Sequence, residues 1–209
     1  TYSLLPSSIG ASYATVWGPL YGPYAGALNP TKNPQNLKGS RLYLSTGNGV
    51  PDARFGFVLD AWTKGVALES FTLAQTVRYD AVLTLSGVDH VVKYRGGVHD
   101  WPYWRRELPV ALAWNPFAAP PVTSSAPTAW SYRTMQPHGN AWGIGYRFEG
   151  LPAAPLSLQR AGQRISASGS GTVTLTAGAA AGDASGAGSS AHCSITAELP
   201  FTYDLPAGC

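Results

Sequence analysis

The chain has 209 residues and a formal charge of +3, with 44% hydrophobic but only 12% charged residues. That supplies enough apolar material for a buried core in one large or two small domains. It excludes a transmembrane helix, because no apolar window reaches the roughly 18 residues a span needs, and with Arg105-Arg106 as the one adjacent basic pair it argues against a nucleic-acid partner.

Low charge combined with abundant Gly, Pro, Trp and Tyr suits a secreted or cell-envelope protein. The opening Thr1-Tyr2-Ser3-Leu4-Leu5-Pro6 lacks the basic region and apolar stretch of a signal peptide. A mature secreted chain would begin the same way. The two cysteines, Cys193 and Cys209, both lie near the C-terminus. In an oxidising compartment they are expected to form a disulfide, closing a loop of about 16 residues for roughly 3 kcal/mol of chain-entropy stabilisation. Two free thiols are the other reading.

Residues 1–40 are turn-rich, and Pro6, Pro19, Pro23, Pro30 and Pro34 forbid a long helix. Trp17-Gly18-Pro19 and Asn29-Pro30 read as fixed turns. The apolar run from Arg41 to Thr46 reads as a buried strand that stops at Gly47-Asn48-Gly49. In open α/β sheets such loops at strand C-termini carry the site. From Val66 to Leu85 the residues Ala67, Phe71, Ala74, Ala81 and Leu85 recur at helical spacing, with Ser86-Gly87 as the stop. Val88 to Tyr94 alternates and predicts a strand.

After the Gly96-Gly97 turn and His99, a helix is expected from about Trp101, capped by Asp100 and striped with Trp104, Leu108, Ala111 and Leu112. Pro109 is expected to kink it or cut it short. Strand, helix, strand, helix predicts a parallel sheet covered by helices.

Beyond Pro116 the pattern changes. Ala118 to Pro127 reads as a linker. Short strands are expected at Trp130–Met135, Trp142–Phe148, Leu156–Arg160, Thr172–Ala177 and Ser194–Leu199. The Gly/Ala/Ser run from Gly178 to Ala191 reads as a mobile loop. The fold class expected is thus an α/β unit over residues 1–117, a linker over 118–127, and an all-β, sandwich-like accessory domain over 128–209.

The stretch richest in chemistry is Gly96-Gly97-Val98-His99-Asp100-Trp101-Pro102-Tyr103-Trp104. Its histidine follows a strand in a glycine-softened turn, and an ordinary pKa near about 6.5 lets it take and return a proton near neutrality. A packed loop histidine is the plainer reading. His90, His99, His138 and His192 show no paired ligand spacing, and the two cysteines lack companions. No metal or other cofactor is expected.

Gly97-Val98-His99-Asp100-Trp101-Pro102-Tyr103-Trp104 closely resembles the Gly-x-His-x-Trp-x-Tyr-Trp signature of the antigen 85-type mycolyltransferases and their esterase relatives, which are α/β-hydrolases. In the same order, Trp17-Gly18-Pro19 with Asn29-Pro30 is similar to the family's segment after the nucleophile strand. Arg41-Leu42-Tyr43-Leu44-Ser45-Thr46-Gly47-Asn48-Gly49-Val50-Pro51 is similar to its strand ending in a Gly-Asn-Gly-x-Pro loop. The likeness covers about residues 10–115 and implies the C-terminal half of such a fold. It makes His99 the general base and Glu69, 30 residues earlier, the carboxylate that orients it and steadies the imidazolium. Trp101 and Trp104 would flank the site and shape an acyl or sugar pocket, with core packing as their other reading. Asp52, just beyond a strand end, is the second choice of acid, and Asp60 also competes. Asp89 and Asp100 lie too near His99 in sequence.

The sequence departs from the family in one respect: it holds no Gly-x-Ser-x-Gly nucleophile elbow. Gly10-Ala11-Ser12-Tyr13-Ala14 comes nearest, but Pro6 and the missing apolar strand before it make Ser12 an ordinary loop serine. The nucleophile is therefore expected on an N-terminal hydrolase half from the same precursor, on a separate chain or lost by truncation. Thr1 as an N-terminal nucleophile is a third reading. Without that half, residues 1–115 would expose a parallel edge strand and an apolar face, so they are not expected to be stable alone.

The resemblance implies a secreted cell-envelope serine acyltransferase that moves a lipid acyl group from a glycolipid or acyl-sugar to trehalose or another envelope acceptor. With water as acceptor it is a carboxylesterase. The alternative is a non-catalytic envelope or assembly protein whose β-domain binds a protein partner or glycan. In that case Trp130, Tyr132, Trp142 and Tyr146 would stack on sugars rather than fill a core.

Overall fold

The computed structural model describes residues 22–55, 59–115, 127–177 and 193–207 together with positions 15, 18 and 19, and the helix residues 59–62 by backbone alone. Thr1, Ser12, the Trp17 turn, the Asp60 side chain, the linker up to Ala126, the 178–191 run and Cys209 lie outside this description.

Among the described residues of the proline-rich start, only short helical pieces form. They are α1 (Pro23–Leu28), which begins with proline at its first turn, and a 3-10 turn at Pro34–Leu37. Asn33 closes α1, its buried Nδ2 donating to the carbonyls of Gly26 at 2.8 Å and Ala27 at 3.0 Å.

The two predicted strands of the α/β unit are present as β1 (Tyr43–Gly47) and β2 (Val91–Arg95), paired in parallel from Tyr43↔Val91 to Gly47↔Arg95. The 27-residue helix α2 (Leu59–Leu85) makes the crossover that a parallel pair requires. It ends as Ser86-Gly87 predicts. Gly87 takes φ +63, its N–H bonds the Thr84 carbonyl at 3.1 Å, and the Val88 N–H bonds the Leu83 carbonyl at 3.0 Å. That is a Schellman motif, and Leu83 and Val88, the two positions between which such motifs place an apolar contact, are both buried.

The buried face of α2 is not the predicted stripe. Ala67, Ala74 and Ala81 are exposed and Leu85 is 88% exposed, whereas Gly65, Glu69 and Leu83 are buried. Around Gly65 and Glu69 the inward face is small and polar because the loops that follow β1 and β2 come close there and leave little room for bulk, whereas Leu83, near the helix end, is a large buried side chain.

The last helix, α3 (Trp101–Ala113), starts where expected, with Asp100 Oδ1 accepting the Trp101 N–H at 2.7 Å. Pro109 does not cut it short; the helix runs on to Ala113. Pro109 and Arg105 are both exposed, so water can take the Arg105 carbonyl that proline leaves without its N–H. The expected apolar stripe is exposed too, at Trp104, Leu108 and Leu112, and Tyr103 is the residue α3 buries.

The chain divides into two units, one bounded by Leu37–Thr123 and the other joining Pro6–Asn36 to Ser124–Cys209. The described residues before Leu37 therefore group with the β unit, across the boundary of 1–117 read from the sequence. There Asn36 clasps residue Arg133, donating to its carbonyl at 2.7 Å and accepting from its N–H at 3.0 Å.

The β unit contains β3 (Ala129–Thr134), β4 (His138–Ala141), β5 (Ile144–Phe148), β6 (Leu156–Ala161), β7 (Arg164–Ser168), β8 (Thr172–Ala177), β9 (Cys193–Glu198) and β10 (Phe201–Asp204). They form two antiparallel four-stranded sheets, in the orders β10-β7-β6-β3 and β4-β5-β8-β9. Residues of both sheets meet in one core, with Ile144, Leu156, Leu158, Ile165 and Val173 fully buried. Each such side chain contributes about 1.5–3 kcal/mol by leaving water. Trp130 and Tyr146 belong to this core, and Tyr132 and Trp142 pack against it, so these rings are not a free stacking face. The sequence reading lacks β4, β7 and β10. Their small, Gly- and Ser-containing or very short segments carry little strand signal and are held by the ladders of their neighbours.

Candidate active site

Two strand ends and two helices, α2 and α3, build the site. β1 ends in Gly47-Asn48-Gly49, β2 in Gly96-Gly97, and the two turns are tied together. Gly49 N–H donates to the Gly97 carbonyl at 2.9 Å, and Gly97 N–H donates to Asn48 Oδ1 at 3.2 Å. The contact needs glycine on both sides. A Cβ at Gly47 would strike the Gly97 carbonyl oxygen, and Gly97 takes φ +145 with the Tyr103 ring where its Cβ would be.

Glu69 points from α2 into this junction, its side chain only 7% exposed. Oε1 accepts from Thr46 Oγ1 at 3.0 Å and from the Gly47 N–H in a short bond. Oε2 lies 2.9 Å from His99 Nδ1. Since a carboxylate accepts, Nδ1 carries the proton and donates. The His99 backbone is pinned to α2 as well, its N–H donating to the Gly65 carbonyl at 3.2 Å. The ring is 31% exposed, and among the described residues Glu69 is its one hydrogen-bond partner.

The His99 ring meets Trp104 edge to face, with centroids 4.8 Å apart at 85°, and Trp104 meets Trp101 at 5.0 Å and 75°. Trp101 is 65% exposed. A cavity of about 430 Å³ is lined by Glu69, Gly47, Trp101, Trp104, Tyr43 and Leu108, among others. At another part of its wall Tyr43 Oη donates to Glu107 Oε1, and Glu107 Oε2 pairs with Arg95 Nε at 2.5 Å. This polar trio has no counterpart in the sequence reading, because its members are spread over β1, β2 and α3.

The remaining sequence candidates sit elsewhere. Asp52 is bound to Arg54, and hydrogen bonds from that guanidinium and backbone hold its carboxyl down at about 2. Its N–H donates to Tyr103 Oη at 2.7 Å, and it does not reach His99. Asp100 caps α3, and His90 bonds Asp80. Cys193 opens β9 and carries no free thiol, while Cys209 lies outside the described residues. Among the described residues no group of three or more His, Cys, Asp or Glu could hold a metal ion, and no helix is long and apolar enough to cross a membrane.

The sequence reading missed Thr46 and the Gly47 N–H as holders of Glu69. The available signal was period two along β1, which turns Thr46 toward the same layer as α2. Chemically, an imidazole with one nitrogen held by a buried carboxylate can accept a proton on the other while the carboxylate steadies the charge.

No protein-family model matches this chain, and no curated protein matches its sequence.

Proposed function

We propose that this chain is the C-terminal part of an α/β-hydrolase-type serine acyltransferase of the cell envelope, similar to the antigen 85-type mycolyltransferases, with His99 as general base and Glu69 as its orienter. The observation that carries the reading is the 2.9 Å contact between a buried, doubly held carboxylate that lines the cavity and a part-exposed imidazole that packs on Trp104 in the cavity wall. The serine resides on an N-terminal hydrolase half. His99 takes the serine proton at Nε2 as Oγ attacks the acyl carbonyl and returns it to the departing sugar oxygen. It then deprotonates the acceptor hydroxyl that attacks the acyl-serine, and returns that proton to the serine Oγ as the acyl–Oγ bond breaks. A glycolipid or acyl-sugar is the donor and trehalose or another envelope hydroxyl the acceptor; water in its place makes the site a carboxylesterase.

Two features support a missing half. Among the described residues β1 pairs with β2 alone, and two parallel strands do not make an independently stable sheet. Val110 and Leu112 on α3, outside the cavity wall, are exposed, apolar surface that a neighbouring layer would cover. A disulfide between Cys193 and Cys209 belongs to the same proposal, as does a secreted location. The packing of Trp130 and Tyr146 into the β core weakens the glycan-stacking alternative; a β-domain that docks an envelope protein remains compatible with an active enzyme.

The test is fluorophosphonate labelling of the native preparation read by intact-mass spectrometry under denaturing conditions. The expected result is a labelled polypeptide that travels with this chain and loses labelling and turnover when His99 is replaced by Ala, a drop of roughly 10⁴-fold or more. Undiminished turnover in the His99→Ala protein overturns the assignment.

A further inference from the structure

The helix–strand pair that carries Glu69 and leads to His99 is fastened a second time, near its other end. His90 lies immediately before β2, with its ring only 10% exposed. Its Nε2 lies 2.7 Å from Asp80 Oδ1 on α2, and its Nδ1 lies 2.7 Å from the Val88 carbonyl oxygen. Tyr94 Oη, on β2, donates to the second carboxylate oxygen of Asp80 at 2.7 Å. A carbonyl and an ionised carboxylate both only accept. A neutral imidazole has one N–H and can satisfy one of them; the imidazolium satisfies both.

We infer that His90 is a protonated clasp between α2 and β2, and that loss of its proton opens this junction, so that the α/β unit carries a pH-sensitive fastening distinct from the His99–Glu69 pair. The groups facing the ring favour the charged form. Asp80 comes from α2, Asp89 lies next to it in the connecting turn, and the neutral Tyr94 comes from β2 and holds Asp80 in place. The hydrogen bond to Asp80, then that to the Val88 carbonyl, raises the His90 pKa above its ordinary 6.5, with burial acting the other way. Asp80 is correspondingly held below 3.8, first by His90 and then by Tyr94.

The signs follow from these directions. The His90 contribution is complete below 6.5 and is lost as pH rises through the raised folded value. The Asp80 contribution is complete above 3.8 and is lost as pH falls through its depressed folded value. The clasp is therefore closed between the two folded values and opens on the alkaline side by loss of the His90 proton.

The test needs no activity. Histidine side-chain NMR on the whole protein gives the His90 midpoint and ring protonation, and thermal melts from about pH 6 to about pH 9 bracket the change in charge. The expected results are a His90 midpoint above 6.5 with both ring nitrogens protonated below it, and a Tm that falls on raising the pH. That fall should shrink in both His90→Gln and Asp80→Asn. A midpoint at or below 6.5 overturns the inference, as does a His90→Gln protein that keeps the full pH-dependent fall. Should His90→Gln fail to fold, the midpoint in the unaltered protein decides.

Discussion

An imidazole can be steadied only by a carboxylate that is itself held, and Glu69 is held at one oxygen by the Thr46 hydroxyl and the Gly47 N–H while its other oxygen serves His99. The division follows from burial: a carboxylate 7% exposed must find protein donors for both oxygens. Thr46→Val keeps the shape and removes the hydroxyl, so a hydrogen bond to a charged group is lost at a cost of about 1.5 kcal/mol. In the assembled enzyme we expect kcat to fall roughly 10-fold with KM little changed, and Thr46→Ser to restore it. Equal kcat in Thr46→Val would mean that the Gly47 amide suffices. The pairing of His99 with Glu69 rather than Asp52 was suggested by family resemblance. Asp52 is physically occupied, because Arg54, two residues away, binds it in an exposed turn.

The elements were legible wherever the signal was local. Gly87 ends α2 through its own positive φ, Asp100 caps α3 through its own side chain, and the glycine-bounded runs give β1 and β2. The face that α2 buries was not legible, because it depends on how near the two strand-end turns come. Two glycines set that distance: a Cβ at Gly47 would strike the Gly97 carbonyl oxygen, and at Gly97 φ +145 and the Tyr103 ring leave no place for one. Gly97→Ala should destabilise the α/β unit by about 1–3 kcal/mol, seen as a lower urea midpoint at unchanged slope. A shift under about 0.5 kcal/mol would show that the turn tolerates a side chain and that the glycine contact is not what fixes the junction.

At the level of the molecule the two units bury their apolar residues to different extents. The β unit gathers large side chains from two sheets into one core, whereas the α/β unit leaves Trp101, Leu108, Leu112 and Leu85 exposed. Backbone hydrogen exchange should therefore be slow across β5, β6 and β8 and fast across α3 in this chain alone. Addition of the nucleophile-bearing half should slow exchange in α3 and raise Tm by mass action. No protection of α3 on addition of that half would count against the proposed assembly.

Local rules made most elements readable in advance. Turn glycines, capping side chains and residue periodicity act within a few positions, so the helix–strand alternation of the α/β unit and five of the β-unit strands could be read without neighbours. Three kinds of feature could not be read this way: β4, β7 and β10, the polar inward face of α2, and the joining of Thr46, Gly47, Glu69 and His99. Each depends on residues distant in the chain. A weak strand exists because a partner offers a ladder, a polar face can be buried because distant donors satisfy it, and a histidine is oriented because a helix brings its carboxylate to 2.9 Å.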